Sequence, residues 1–148
     1  LGNRAAYEDY VLRLNEAIKK KEARFSIAVF DLNGLKELND RYGHEKGDQA
    51  IRQAALVLKK VYEDGKVYRI GGDEFIVVIE DPDYDVSLRY QEIDRLLGDM
   101  GEVSLAKGAA EFDPVYDVGY RVVFNRADYA MYNDKREYYL THADRRRG

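Results

Sequence analysis

Residues 67–80 read VYRIGGDEFIVVIE, in which two β-favouring segments flank the tetrapeptide Gly71-Gly72-Asp73-Glu74. Aromatic and β-branched residues on both sides of a Gly-Gly pair predict a β-hairpin. The glycines allow positive φ and let a bulky anion approach the backbone, yet two acidic residues follow at once and would repel a phosphate. A divalent cation between them removes that conflict, so the segment indicates a metal and a phosphorylated ligand. A tight turn with solvated acidic side chains explains the same residues equally well.

Length and composition are those of one globular domain. The 148 residues are 45% hydrophobic and 35% charged, with a net charge of −4, and this length supports a single core. No apolar run approaches the ~20 residues of a membrane span, and no signal-peptide pattern opens the chain. We therefore expect a cytoplasmic segment without membrane contact, with any membrane tether supplied by other segments of a full-length protein. The negative charge argues against nucleic acid as a partner.

The residue types also restrict the kind of metal site. The chain has no cysteine and only two histidines, His44 and His142, which are far apart in sequence. Thiolate sites and multi-histidine sites are therefore excluded. Any metal must be held by oxygen ligands, which favours Mg²⁺ or Mn²⁺ over zinc. The basic residues 145–147 are interpreted as a solvated end or linker.

Hydrophobic periodicity predicts the order helix, strand, two helices, hairpin, helix, strand, helix. The apolar stripes and runs place helices near residues 6–22, 35–42, 48–62, 86–97 and 126–139, and further strands at 25–30 and 103–110. Residues 44–47 are predicted as a polar loop, and Gly98 is predicted to end the fourth helix. Residues 112–124 are ambiguous, with room for a short strand pair around Val115 and Tyr120.

This order predicts an α+β domain with a sheet of four or five strands. The connection from the first strand to the hairpin is long enough to pack helices on a sheet face, so these strands can lie side by side. Asp31, at the end of the first strand, would then face Asp73 and Glu74 at the hairpin tip. Three carboxylates from two distant segments are what metal-dependent phosphoryl chemistry requires.

The segment after Asp31 turns directly from strand to helix. Residues 32–36 read LNGLK, and the backbone amides of such a turn point outward at a helix N-terminus, where phosphate binds readily. Asn33 is either an ordinary N-cap of that helix or a direct ligand.

Several motifs together resemble the GGDEF family of diguanylate cyclases. Residues 71–75, GGDEF, match the family's signature, and residues 31–48, DLNGLKELNDRYGHEKGD, resemble its D-x-D-x-F-K-x-x-N-D-x-x-G-H-x-x-G-D run. Residues 1–4, LGNR, are similar to the end of its opening L-T-G-L-x-N-R, and residues 127–135, ADYAMYNDK, resemble its closing A-D-x-A-L-Y-x-A-K. The motifs occur in the family's order and span nearly the whole chain.

The resemblance implies a fold, a reaction and partners. The fold would be palm-like, ferredoxin-like and akin to adenylyl cyclase, with a mostly antiparallel sheet of about five strands and helices on both faces. The reaction would join two GTP molecules into cyclic di-GMP and release two pyrophosphates, with Mg²⁺ or Mn²⁺ as cofactor. Residues 1–148 would be one catalytic domain of a longer protein. Two copies would pair face to face, each with one nucleotide, under the control of an upstream sensor domain.

The matched positions imply roles for the acidic residues. Asp31, Asp73 and the carbonyl of Leu32 would bind the metal, with Glu74 in or beside that shell. Asp73 matches the position assigned to deprotonation of the attacking 3′-hydroxyl. Asp73 and Glu74 are therefore the catalytic candidates.

The same matching implies the substrate contacts. Gly71 and Gly72 would let the hairpin approach the nucleotide, Asn39 and Asp48 would bind guanine, and Lys135 would meet the phosphates. A carboxylate accepts well from the N1–H and N2–H₂ donors of guanine. The alternatives are a helix N-cap for Asp48, a polar helix end for Asn39 and a solvated lysine for Lys135.

One departure from the family pattern concerns the phosphates. Tyr138 and Tyr139 stand where the family often has Gly-Arg, so a phosphate-binding cation is missing unless Lys36 or Arg136 replaces it. Such a charge-assisted contact contributes about 1.5–3 kcal/mol. Its loss would weaken GTP binding without abolishing the chemistry.

A second departure concerns product inhibition. Tyr62 and Gly65 stand where many members carry the Arg and Asp of a cyclic di-GMP site, which predicts no tight feedback binding there. The other differences are Asn33 for Asp, Leu35 for Phe and Ala106 for Ser.

Two functions of different class follow. One is an active, metal-dependent diguanylate cyclase, which the intact signature acids favour. The other is a catalytically weak or silent module that binds GTP and regulates a partner, which the absent phosphate-binding Arg favours.

Overall fold

A four-stranded sheet in the order β2-β3-β1-β4 forms the centre of the fold. Its strands are β1 (Ser26–Leu32), β2 (Lys66–Arg69), β3 (Glu74–Ile79) and β4 (Leu105–Glu111), and each neighbouring pair is antiparallel. The computed structural model describes residues 1–81, 83–101 and 103–142. The predicted α+β class is confirmed, with four strands where about five were expected.

Helices cover both faces of this sheet. They are α1 (Arg4–Lys19), α2 (Leu35–Tyr42), α3 (His44–Val61), α4 (Tyr90–Met100, after a 3₁₀ turn at Val86–Arg89) and α5 (Tyr120–Thr141). Side chains alternate between faces along a strand. Ile27 and Val29 of β1 pack with α1 and α5, whereas Ala28 and Phe30 pack with α3 and α4. Two apolar cores therefore hold β1 from opposite sides.

The predicted polar loop at residues 44–47 is wrong, because these residues belong to α3. Gly43, with φ of 90°, is both the C-cap of α2 and the N-cap of α3. A residue with a side chain rarely adopts this left-handed region, so one glycine turns the chain between the two helices. Asp48 consequently lies within α3, and its alternative as an N-cap is wrong.

Other boundaries also differ from the predictions. Gly34, with φ of 67°, is the N-cap of α2, so Asn33 is not. Gly98 lies inside α4, which ends at Met100 with Gly101 as its C-cap. The ambiguous residues 112–124 form no strand. Asp117 N donates to the carbonyl of Asp113 at 2.9 Å in a turn, and α5 begins soon after it. Residues 145–147 lie outside the described part of the chain.

Close packing of α5 on β4 positions one end of the sheet. A Cβ at Gly108 would overlap the α5 backbone at Ala127 and Met131, so only glycine lets the helix approach this strand. The last turns of α5 thereby reach the end of β1, where the chain leaves the sheet for α2.

Candidate active site

The end of β1 lies beside the tip of the β2–β3 hairpin, as predicted. Asp31 pairs with Glu74 across the two strands, and Leu32 N donates to the carbonyl of Asp73 at 3.2 Å. Paired residues in antiparallel strands share a face, so the side chains of Asp31 and Glu74 both face the α1 and α5 side. The sheet itself thus fixes the spacing of these acidic residues.

Asp31 is the most perturbed acid of this group. Its Oδ1 is buried and has no hydrogen-bond partner among the residues that the structure describes. Burial raises the pKa of its carboxyl to about 7, the neighbouring Asp73 carboxyl acts in the same direction, and Lys135 acts against both. A carboxylate that is desolvated and close to a second acid is typical of a functional site.

Lys135 of α5 reaches into the same place. Its Nζ lies 3.1 Å from Oδ2 of Asp31 and donates to the carbonyl oxygen of Leu32 at 3.1 Å. Only 22% of its side chain is exposed, so it is not a solvated helix lysine. One cation from α5 therefore bridges two oxygens at the end of β1.

These oxygens suit a hard divalent cation. No group of three His, Cys, Asp or Glu side chains placed to hold a metal occurs within residues 1–81, 83–101 and 103–142. A site here would therefore use the carboxylates of Asp31 and Asp73 with the carbonyl of Leu32, all oxygen donors of the kind that Mg²⁺ and Mn²⁺ prefer. The unpaired Oδ1 of Asp31 fits such a donor role.

Glu74 lies close to these oxygen donors and shares two charged neighbours with Asp31. Burial raises the pKa of its carboxyl, and the charges of Asp128 and Asp73 act in the same direction. The cations Arg4 and Lys135 act against that rise. Glu74 therefore belongs to the same electrostatic cluster, at the side where α1 and α5 meet the sheet.

The hairpin tip is open to solvent and held by an arginine that sequence reasoning missed. The guanidinium of Arg69 donates to the carbonyls of Gly71 at 3.2 Å and Gly72 at 2.7 Å. Neither glycine has positive φ, so the prediction that the hairpin tip relies on positive φ at these glycines is wrong. A Cβ at Gly72 would meet nothing within 4 Å, which leaves free space beside the acidic residues.

The turn from β1 to α2 is pinned from two sides. Asn33 N donates to the carbonyl of Ser104 at 3.0 Å, and Asn33 Nδ2 donates to Ser104 Oγ at 3.1 Å. Gly34 N donates to the hydroxyl of Tyr139 at 3.4 Å. The tyrosine that replaces the expected arginine thus contacts an amide of the predicted phosphate-binding turn. Lys36, in the first turn of α2, is exposed.

The two guanine-binding candidates lie on adjoining helices. Asn39 is half-buried in α2, and its Oδ1 is buried without a hydrogen-bond partner in the described chain. Asp48 is exposed in α3, one residue after the buried Gly47. The single-residue turn at Gly43 brings these helices together. Both candidates belong to the α2–α3 helix pair rather than to the sheet.

The two positions that match the family's product-inhibition site, where no such site is predicted in this chain, serve packing. Tyr62 is fully buried, and its hydroxyl donates to the carbonyl of Val86 at 2.8 Å. A Cβ at Gly65 would lie 2.8 Å from Cγ1 of Ile79. These positions therefore present no charged group to an anionic ligand.

Comparison with known proteins gives one consistent result. The family model "Diguanylate cyclase, GGDEF domain" matches residues 1–139. The chain is 28% identical over 141 residues to the diguanylate cyclase DgcS of Shewanella oneidensis, covering 91% of this chain and 47% of that protein. It is also 32% identical over 93 residues to a functionally uncharacterised membrane protein of Staphylococcus epidermidis, covering 62% of this chain and 26% of that protein.

The structure agrees with a solved domain of the same type. The GGDEF domain of DgcB from Caulobacter crescentus, solved in complex with c-di-GMP, superposes with a TM-score of 0.75 at 27% identity, covering 93% of this chain and 86% of that one. The chain thus spans half or less of the length of the two curated relatives but most of this solved domain. Among the described residues, no helix has the length and apolarity that crossing a membrane requires.

Proposed function

The chain belongs to the diguanylate cyclase GGDEF domain family, and from this we propose that it condenses two GTP molecules into cyclic di-GMP. The observation that carries the proposal is the convergence of Asp31, Leu32 and Lys135 beside the hairpin tip with Asp73. Oxygen atoms suited to a metal and a cation suited to phosphate therefore lie together at the end of β1.

The cofactor proposed is Mg²⁺ or Mn²⁺. Asp31, Asp73 and the carbonyl of Leu32 would hold it, and the buried, unpaired Oδ1 of Asp31 supports that assignment. When bound, such a cation neutralises charge that develops on the reacting phosphate. Two carboxylates near one desolvated site cannot both ionise easily without compensating positive charge. The pKa of Asp31 stays raised despite the nearby Lys135, so a divalent cation would supply positive charge that the site lacks.

Asp73 is the proposed general base, and Glu74, the next residue in the chain, is the second proposed catalytic residue. The 3′-oxygen of one GTP attacks the α-phosphorus of the other, and its proton passes to the Asp73 carboxylate. The bond from the α-phosphorus to the bridging oxygen breaks, and pyrophosphate leaves with that electron pair. Repeating the step with the roles of the nucleotides exchanged closes the ring.

The remaining candidates would bind the nucleotide. Asn39 and Asp48 would contact guanine, and the exposed tip at Gly71–Gly72 would admit the triphosphate. Lys135 would exchange its contacts with β1 for contacts with phosphate, since its ammonium already reaches the end of that strand. Lys36 is the proposed second cation, because it is exposed beside the turn that Tyr139 contacts.

The reaction requires a second copy of this domain, because one nucleotide site cannot present both the attacking oxygen and the α-phosphorus. We propose a transient homodimer of this single catalytic domain, controlled by a sensor domain elsewhere in a longer protein. A cytoplasmic location with a membrane tether outside this segment is consistent with the name of the staphylococcal relative.

One observation favours the second function, a catalytically weak or silent GTP-binding module. The Tyr139 hydroxyl contacts Gly34 N in the turn proposed for phosphate, where the family often supplies an arginine. Weak phosphate binding would leave recognition of the guanine base intact and slow turnover.

Turnover of GTP separates the two functions. The protein is fused to a dimeric coiled coil, incubated with GTP and Mg²⁺, and assayed for cyclic di-GMP by chromatography. We expect product from wild type and from Asp99→Ala, an exposed control on α4, and none from Asp73→Ala. GTP binding without product would establish the silent module, and product from Asp73→Ala would overturn the mechanism.

A further inference from the structure

Gly47 occupies a buried position in α3, where that helix meets α2. A Cβ placed on Gly47 would lie 2.8 Å from Cγ of Asn39 and overlap its Oδ1 outright. The amide of Asn39 therefore occupies the space that a side chain at residue 47 would fill. Gly47 lies inside α3, so the turn between α2 and α3 does not require a glycine at this position.

The orientation of Asn39 follows from this contact. Its backbone carbonyl accepts from Gly43 N at 2.8 Å, which fixes the end of α2. Its Oδ1 is buried against Gly47 without a hydrogen-bond partner in the described residues. With the oxygen turned inward, the amide nitrogen is the end left for a ligand, and it is a donor.

A donor at Asn39 complements the acceptor at Asp48. Guanine presents both donors and acceptors along its edge. An amide donor and a carboxylate acceptor together can therefore pair with it, whereas either group alone would leave a polar group of guanine unmatched. Asp48 directly follows Gly47, so both groups depend on the same turn of α3.

We infer that Gly47 is a positioning residue for guanine recognition, which holds the Asn39 amide in its binding orientation by leaving room for it. This inference rests on the proposed function. A methyl group at residue 47 pushes the Asn39 side chain out of its place, because the overlapping atoms are the end of a flexible side chain. The helix tolerates the change, since Ala has a higher helix propensity than Gly.

The matched control is Gly98→Ala in α4, where an added Cβ would meet nothing within 4 Å. Both changes replace a helical glycine by alanine, so they share the propensity effect and differ in the contact with Asn39. The readouts are the melting temperature and the affinity for a GTP analogue with a methylene bridge between the α- and β-phosphates, which cannot release pyrophosphate.

We expect Gly47→Ala to weaken analogue binding about 2- to 10-fold, the effect of one lost hydrogen bond, and Gly98→Ala to leave it unchanged. Asn39→Ala should weaken analogue binding to a similar extent. The double variant should bind no more weakly than whichever single variant binds less tightly, because both changes remove the same interaction. If Gly47→Ala also lowers the melting temperature, Asn39→Ala should restore it by removing the overlapping side chain.

The inference alone would be overturned if Gly47→Ala bound the analogue as tightly as wild type does. It would also be overturned if the losses of affinity in the two single variants added up in the double variant. A melting temperature that Asn39→Ala does not restore would also overturn it. Wild-type protein that does not bind the analogue would contradict the proposed function itself.

Discussion

The ammonium nitrogen of Lys135 lies 3.1 Å from Oδ2 of Asp31, so α5 supplies a positive charge to a carboxylate proposed to bind metal. The same nitrogen contacts the carbonyl of Leu32. Lysine and a divalent cation would thus compete for the carbonyl of Leu32 and repel each other across the Asp31 carboxylate, and metal binding would release Lys135 for a phosphate.

Lys135→Met should therefore strengthen Mn²⁺ binding while it weakens GTP binding. Removal of the competing charge-assisted contact favours the metal by roughly tenfold or more, from the ~1.5–3 kcal/mol of such contacts. Free Mn²⁺ is measured by electron paramagnetic resonance from pH 7 to 8.5 without nucleotide. The gain is expected at the upper end of this range, because loss of Lys135 also raises the pKa of Asp31.

Lys135→Arg is the matched control for this measurement, because it keeps the positive charge on α5. It should bind Mn²⁺ about as wild type does. Equal affinities in wild type and Lys135→Met would show that the lysine does not compete with the metal.

The pKa of Asp31 makes Mn²⁺ binding depend on pH. Burial raises this pKa to about 7, so below that pH the metal must displace a proton from the carboxyl. Affinity should rise by up to about tenfold per pH unit below pH 7 and level off above it, in titrations from pH 5.5 to 8.5. Asp31→Asn should bind weakly and lose this dependence. A flat wild-type profile would contradict the assignment of Asp31 as a ligand.

The contact between Tyr139 and Gly34 suggests how to strengthen phosphate binding. Tyr139→Arg should tighten GTP binding roughly tenfold or more, because a guanidinium makes charge-assisted bonds to phosphate that a hydroxyl cannot. Isothermal titration with the unreactive GTP analogue measures the gain. Tyr129→Arg adds the same charge at an exposed site about 15 Å from residue 139, nearer the start of α5. An equal gain in affinity there would show that the added net charge, rather than a contact with phosphate, causes the effect.

The hairpin and the buried strand β1 could be predicted from sequence because both depend on local patterns. A continuous apolar run at residues 25–30 indicates a buried strand, and β1 lies between two apolar cores. The loop predicted at residues 44–47 was wrong because one left-handed glycine, Gly43, suffices to join α2 and α3. Polarity alone cannot distinguish the exposed first turn of a helix from a loop.

The meeting of the acidic residues was predictable, but their detailed contacts were not. Asp31 and the hairpin tip meet because neighbouring strands pair, whereas the contact between Tyr139 and Gly34 joins residues 105 apart in sequence. Helical periodicity indicates which face of α5 is buried, not which residue lies opposite it. The space that Gly47 leaves for Asn39 has no signature in either helix taken alone.

Cyclic di-GMP should bind only where GTP binds. Tyr62 is buried and Gly65 packs on Ile79, so neither position offers a guanidinium or carboxylate to the product. Calorimetric titration of the undimerised domain, with and without saturating GTP analogue, tests this expectation. Product binding that persists in the presence of the analogue would reveal a separate feedback site.

The ion pair of Asp117 and Arg126 should dominate the loss of stability at low pH in the region where α5 begins. Asp117 is buried, and its carboxylate accepts from Arg126 Nη1 at 2.7 Å, from Arg126 Nη2 at 2.9 Å and from Asp113 N at 2.8 Å. These contacts lower its pKa, with the Arg126 hydrogen bonds as the largest cause. Asp117→Asn should lower the free energy of unfolding by about 1.5–3 kcal/mol at pH 7, measured by urea denaturation.

The sign of the pH effect follows from the lowered pKa of Asp117. Its contribution to stability is complete above the unfolded pKa of about 3.9 and is lost as pH falls through the lower folded pKa. The difference between wild type and Asp117→Asn should therefore stay constant from pH 7 to about pH 5 and shrink below about pH 4. Asp99→Asn is the matched control, because its partner Arg95 lies 4.0 Å away and both side chains are exposed. That change should alter stability by less than about 1 kcal/mol, and an equal effect of the two substitutions would contradict a special role for the Asp117 pair.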